Sequence, residues 1–261
     1  MILIRGAGDM ASGIAVRLFR CGFRLAMTDL TSPTSIRRTV CFSEAIVHGQ
    51  CTVEDITAEK AASQADADLI WQRGHIPVFA DDEGTALSLL HPQAVVDARL
   101  AKVNLGTSME DSPIVIGVGP GFTAGKDCHA VIETQRGHYL GRAIYEGSAA
   151  ANTGIPGNIG GYTVERLIKA PQAGVFHPVK AIADTVSAGE IVAYVDEAPV
   201  RCRIGGILRG ILPEGTEVYA GMKSGDVDPR CRVEHCLCAS DKALSVGGGV
   251  LEALLHFGYK E

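Results

Sequence analysis

Residues 1–30 read MILIRGAGDMASGIAVRLFRCGFRLAMTDL. The apolar run Ile2, Leu3 and Ile4 is short, β-rich and closed by glycine, the mark of a buried strand. Over residues 10–21, Met10, Ile14, Val16, Leu18 and Cys21 give an approximate helical face, and Gly22 ends it. Residues 23–28 read as a second strand, followed by Asp29. A strand, a glycine turn, a helix and a strand in that order form a βαβ opening. Gly6-x-Gly8-x-x-Ala11 matches the glycine fingerprint of that opening in its G-x-G-x-x-A form.

Each small residue has a reason. Gly6 permits the tight turn, Gly8 lets backbone approach a pyrophosphate, and Ala11 lets helix and strand pack closely. Asp9 opens the helix, whose N-terminus offers N–H groups and partial positive charge to an anion. Asp29 stands about 20 residues after the glycines, where an acidic residue takes a ribose hydroxyl. The competing reading is a tight βα turn that binds nothing. Arg37 and Arg38 follow; two adjacent arginines suit a phosphate monoester or a pterin phosphate, or else form a solvated pair.

Further along, residues 76–80, 94–98 and 114–118 read as strands separated by helical or irregular links. That pattern predicts an α/β fold with a Rossmann-like, doubly wound parallel sheet, whose ligands gather at the carboxyl ends of strands. Asp97, Arg99, Lys102 and Asn104 fall just past one such end, and Gly117, Gly119, Gly121 and Gly125 past the next. The second group reads as an anion nest, or as a turn around Pro120 that needs glycine for its geometry.

The second half contains a repeat. GVFHPVKAIADTVSAGEIVAYV (174–195) and GILRGILPEGTEVYAGMKSGDV (206–227) align at a constant offset, with Val175 on Ile207, Val179 on Ile211, Val186 on Val218 and Ala188-Gly189 on Ala220-Gly221. Two β units of this kind resemble the biotinyl/lipoyl-like barrel-sandwich fold. Carriers of that fold modify a lysine in the hairpin between the halves. Here that hairpin, YVDEAPVRCR, has none, so the resemblance extends to fold and not to a swinging arm. Residues 131–134 and 140–145 read as a hairpin, and residues 162–168 as a helix stopped by Pro171. The apolar segment 245–257 reads as a helix whose glycines let it lie against another backbone. The expected organisation is a Rossmann-like domain over 1–170, a small all-β module over 171–230, and a segment over 231–261 that returns to the first domain.

The chain has 261 residues and a net charge of -6, which opposes nucleic acid as the main partner because phosphate backbones need a basic face. Nothing approaches the roughly 20 apolar residues of a membrane span, and the start lacks a signal peptide's regions. Eight cysteines form no evident disulfide framework, so a cytoplasmic protein with reduced thiols is expected. Cys231, His235, Cys236 and Cys238 depart from zinc-finger spacing, and no metal site is assigned. Cys128 is the better-placed reactive thiol, with a small buried apolar residue as the alternative. Glu133, Arg136 and His138 are candidates for an acid/base group. No proton-transfer motif of a dehydrogenase is evident.

IRGAGDMASGIAVRL, PTSIRRTVCFSEAI, VVDARLAKVNLGT, GPGFTAGKDCHAVIETQRGHYLGR, TGIPG, GDVDPR and SDKALSVGGGVLEALL together resemble the YqeB-type accessory proteins of selenium-dependent molybdenum hydroxylases. The Rossmann-like part is more loosely similar to the XdhC group, which handles molybdenum cofactor for insertion. The resemblance implies a cytoplasmic maturation factor with a molybdenum hydroxylase as partner and a small-molecule cofactor, NAD(P) or a molybdopterin-type compound. It covers Gly6, Gly8, Asp9, Arg37, Arg38, Asp97, Lys102, Asn104, the 119–121 loop, Asp127, Arg136, Gly137, His138, Asp226, Asp228 and Arg230. An NAD(P)-dependent oxidoreductase and a non-catalytic scaffold are the alternatives.

Overall fold

The computed structural model describes residues 1–260 and divides the chain into two compact units. The first takes residues 1–33, 41–153 and 239–260; the second takes 34–40 and 154–238. The division differs from boundaries at 170 and 230. Residues 154–170, 231–238 and the short excursion 34–40 all join the β unit.

The first unit holds one nine-stranded sheet. Its strands are β1 (Ile2–Arg5), β2 (Leu25–Asp29), β3 (Gln50–Val53), β4 (Ile56–Ala61), β5 (Ile76–Ala80), β6 (Ala94–Asp97), β7 (Ile114–Val118), β8 (Ala130–Ile132) and β9 (Ala143–Ile144). The order is β3-β4-β5-β2-β1-β6-β7-β8-β9. The outer pairs β3–β4 and β8–β9 are antiparallel, and every pairing from β4 to β8 is parallel. A mixed α/β unit with a large parallel-rich sheet therefore stands as read. The chain leaves β1 towards β2 on one side and returns to β6 on the other, so β1 and β6 flank the topological switch point. Ile2, Leu3, Ile4 and the residues of β6 are buried, as continuous apolar strands between two layers must be.

Five helices accompany this sheet: α1 (Asp9–Arg20), α2 (Glu44–His48), α3 (Gln64–Gln72), α4 (Ala86–Leu90) and α5 (Asp241–His256). Glycine brings α5 onto α1. A methyl placed on Gly13 would lie 2.4 Å from the Cβ of Ala243, and one on Gly247 would lie 3.2 Å from the Cα of Ile14. Ser240 caps α5 by accepting the Ala243 N–H at 3.2 Å.

The second unit contains two four-stranded antiparallel sheets, β10-β17-β15-β12 and β14-β13-β11-β16. Their strands are β10 (Leu167–Lys169), β11 (Gly174–Pro178), β12 (Thr185–Val186), β13 (Ile191–Val195), β14 (Ala198–Arg201), β15 (Gly206–Ile211), β16 (Thr216–Val218) and β17 (Lys223–Asp228). The sequence repeat is a backbone repeat. Each copy has a long, a short and a long strand, and the short strand pairs with the other copy's first strand. Matching positions share unusual backbone: Gly174 and Gly206 have φ of 151° and 153°, and Gly189 and Gly221 both have 82°. Ala183 holds φ 82° where the second copy has Gly215 at 77°, so the first copy bears a left-handed residue that the second relieves with glycine.

Residues 162–168 are not a helix. A short 3-10 turn, Val164–Arg166, leads directly into β10, which pairs with β17. Ile168 is buried against Gly225, and Arg166 is buried on Asp226, so tertiary pairing overrides the local pattern.

Candidate functional site

The loops leaving β1, β6, β7 and β8 lie at one edge of the sheet, the carboxyl end of its parallel strands. Glycines hold them together. A methyl on Gly6, at φ 102°, would lie 3.1 Å from the Ala98 carbonyl oxygen; one on Gly121, at φ 111°, would lie 2.8 Å from the Val103 backbone. One on Gly119 would lie 2.8 Å from the Thr134 hydroxyl. These three glycines therefore serve close approach between neighbouring loops. Gly8 is the N-cap of α1 in extended conformation, and no side chain caps that helix. Ala11 is buried on α1, as tight helix–sheet packing requires.

Two carboxylates read from the sequence are engaged by their own loops. Asp29 accepts the Ala7 N–H and the Leu30 N–H, both at 2.8 Å, and so clamps the glycine turn from the end of β2. Burial raises its pKa against those two hydrogen bonds. Asp97 is buried at the end of β6 and accepts from Arg99 and from the Thr107 hydroxyl. Arg5 donates to the same hydroxyl and to Asp111, each at 2.7 Å. Asn104 closes the loop by exchanging two hydrogen bonds with the Thr107 backbone. Asp97 and Asn104 thus fix the shape of the loop over residues 98–107.

That loop presents Lys102. Its φ of 69° lies in the left-handed region, as does that of Leu100 at 58°. Lys102 is exposed at the surface, and the protein around its base lowers its pKa by partial desolvation. Lys242, in the first turn of α5, is lowered by burial first and then by the positive charges of Lys102 and Arg136. Asp9 and Glu133 oppose that shift. Among the described residues neither ammonium has an ion-pair or hydrogen-bond partner. Glu133 is buried and accepts the Gln135 and Ala150 N–H groups at 2.6 and 2.8 Å. Arg136 grips Asp241 through two bonds of 2.7 Å. Five charged groups from the ends of β1, β6 and β8 and the start of α5 therefore share one field. Lys102 is exposed and Lys242 half-buried; among the described residues neither forms an ion pair, Asp9 and Glu133 offset only part of the positive charge on Lys242, and an added anion lowers what remains.

Sequence reading identified Lys102 and named Arg136 and Glu133, but it missed Lys242. The signal was present: a lysine follows a Ser cap in SDKA, at the start of a glycine-rich helix. Arg37 and Arg38 fall elsewhere. Residues 34–40 belong to the second unit, where the Ile36 carbonyl accepts the Ile211 N–H of β15. Arg37, buried, donates to the carbonyls of His235 and Cys238, and Arg38 to that of Ile211.

The second unit carries a charged network of its own. On β17, Asp226 receives two bonds from Arg166, at 2.9 and 3.1 Å. Fully buried Asp228 receives the Arg230 side chain and N–H, with His235 Nδ1 at 3.4 Å, and Arg209 lies 3.5 Å from both carboxylates. Burial alone would raise the Asp228 pKa, but the hydrogen bonds of Arg230 and the charges of Arg230 and Arg209 hold it far below the usual carboxylate range.

The thiol singled out from the sequence is not placed for reactivity. Cys128 is fully buried, and desolvation pushes its thiol up to about 11. Among the described residues no three His, Cys, Asp or Glu side chains come together in a way that could hold a metal ion. No helix among them is long and apolar enough to cross a membrane.

No family model matches the chain. It is 49% identical over its whole length to the uncharacterized protein YqeB of Escherichia coli (strain K12), and it spans about half the length of that relative. This supports the YqeB-type resemblance. Likeness to solved structures is low. An aspartoacylase family protein from Mesorhizobium loti is 12% identical over 88% of this chain and 86% of its own, with a TM-score of 0.30. A succinylglutamate desuccinylase/aspartoacylase from Rhodobacter sphaeroides is 25% identical over 24% of this chain and 22% of its own, with a TM-score of 0.22. Neither likeness bears on function.

Proposed function

We propose that the first unit binds a phosphate- or pyrophosphate-bearing cofactor, of nucleotide or molybdopterin type, at the carboxyl edge between β1 and β6. In this reading the protein is a cytoplasmic maturation factor for a selenium-dependent molybdenum hydroxylase. The observation that carries the cofactor half is the pair Lys102 and Lys242, on the loop after β6 and in the first turn of α5, with no ion-pair partner among the described residues, at the carboxyl edge beside the switch point. Gly8 at the start of α1 adds a helix N-terminus with no side-chain cap. The hydroxylase half rests on the motifs that resemble YqeB-type accessory proteins and, more loosely, XdhC-group proteins. The β unit, read as a barrel-sandwich module without a carrier lysine, serves as a rigid interaction element.

Titration with inorganic pyrophosphate and with NAD and NADP tests the cofactor half. Wild type should bind pyrophosphate, and Lys102→Met or Lys242→Met should weaken that binding by about tenfold, the loss of one charge-assisted contact. Unchanged affinity in both variants would sink the site. Robust turnover of NAD or NADP with alcohols or hydroxy acids would favour the oxidoreductase alternative, which draws on Gly6, Gly8, Ala11 and Asp29. Deleting the gene should leave the hydroxylase polypeptide present but inactive, and a fully active hydroxylase would remove the maturation role.

A further inference from the structure

Arg136 stands in the exposed stretch QRGHY, next to Gly137 at φ 144°, whose added methyl would meet nothing within 4 Å. Its guanidinium forks onto Asp241 with two bonds of 2.7 Å, the geometry with which arginine also takes phosphate. The pair is partly open to water, with side-chain exposures of 33% and 72%, so the bond contributes little to stability. Asp241 is the first residue of α5, where the helix N-terminus stabilises a carboxylate even without the arginine. The next residue is Lys242, which feels the charge of Arg136.

We propose that Asp241 is a built-in stand-in for the anion: its carboxylate holds Arg136 beside Lys102 and Lys242 until a phosphate group takes over the fork. This rests on the cofactor-binding reading above and adds the third cation of the site together with its internal competitor. Exchange, rather than addition, sets the affinity. Each phosphate bound displaces one carboxylate, and no covalent bond is made or broken.

The test is a double-mutant cycle on the full chain, read as affinity for inorganic pyrophosphate by calorimetry, with thermal melting as the check on folding. Asp241→Asn keeps the Ser240 cap and removes the competitor, and should tighten binding by about two- to fivefold, the worth of an exposed ion pair. Arg136→Gln should weaken binding by about tenfold. In the Arg136→Gln background, Asp241→Asn should tighten binding markedly less than in wild type, because the carboxylate then no longer competes for the fork. An equal tightening in both backgrounds would make Asp241 a plain repelling charge and overturn the exchange. So would an Arg136→Gln variant that binds like wild type. A wild type that ignores pyrophosphate, or one indifferent to Lys102→Met and Lys242→Met, would instead fail at the cofactor-binding reading.

Discussion

The two units treat buried charge in opposite ways. In the β unit, Asp226 and Asp228 are fitted to Arg166, Arg209 and Arg230, and the carboxylates are nearly or wholly out of water. In the sheet unit, Lys102 and Lys242 form no ion pair among the described residues, and Asp9 and Glu133 offset only part of the positive charge on Lys242. A paired network stabilises a fold against removal of either partner, because the remaining charge is stranded. An unpaired cation pair does the reverse: it costs stability and is ready for a ligand. On the proposed reading, the contrast separates a network that holds shape from a cation pair that takes a ligand.

The largest effect should come from breaking the network. Asp226→Ala leaves Arg166 buried without its partner and should cost about 3–5 kcal/mol. Lys242→Met removes a desolvated charge and should leave stability unchanged or raised. Thermal melts of the two variants check this. If Asp226→Ala melts like wild type, the two units do not differ as described.

A pH series sharpens the same contrast, because the two groups respond in different windows. Asp228 has a folded pKa below its unfolded value. Its contribution is present above the ordinary carboxylate range, near pH 4, and is lost as pH falls below it. Lys102 and Lys242 also have lowered folded pKa values. For a lysine this means that the contribution is fully present above about pH 10.4 and lost as pH falls through the folded value. Raising the pH through the alkaline range should therefore stabilise the sheet unit relative to a Lys102→Met, Lys242→Met double variant. It should also weaken pyrophosphate binding, since deprotonated amines no longer attract the anion. Parallel loss of stability and binding over that range would contradict the assignment of both effects to the lysines.

How much of this was legible in the residues follows from the range of the forces involved. The strand–turn–helix opening and the run of apolar strands were legible because local pattern sets them: Ile2–Arg5, Ile76–Ala80 and Ile114–Val118 are strands where their β-rich runs ended in glycine or polar residues. The repeat was legible because its glycines impose the same backbone twice. Long-range pairing was not. Residues 162–168 have helix-compatible composition, yet Arg166 answers Asp226 sixty positions away. Arg37 and Arg38 sit as an adjacent pair suited to phosphate, yet hydrogen bonds to the carbonyls of residues 211, 235 and 238 draw them into the β unit. Gly6, Gly119 and Gly121 let neighbouring loops touch, a requirement that local spacing does not distinguish from a ligand cradle. Lys242 escaped because its role depends on where α5 starts against α1, which no local spacing encodes.

The smallest expected effect concerns the backbone beneath Lys102. Its φ of 69° places a side-chain-bearing residue where the Cβ crowds the neighbouring carbonyl. The loop tolerates this because Asp97, Asn104 and Thr107 fix its other end by hydrogen bonds. Strain of this kind is kept where the side chain has a task. Lys102→Gly and Lys102→Ala both delete the ammonium, so both should lose pyrophosphate affinity to the same extent. Glycine relaxes the left-handed backbone and alanine does not, which should make the glycine variant more stable by about 1 kcal/mol, less what glycine adds to the unfolded chain's freedom. Denaturant melts resolve a difference of that size, and the paired affinities show whether strain and binding separate. Should alanine prove the more stable variant, position 102 relaxes out of the left-handed region in solution. The loop would then present its lysine without strain, and binding alone would account for the residue.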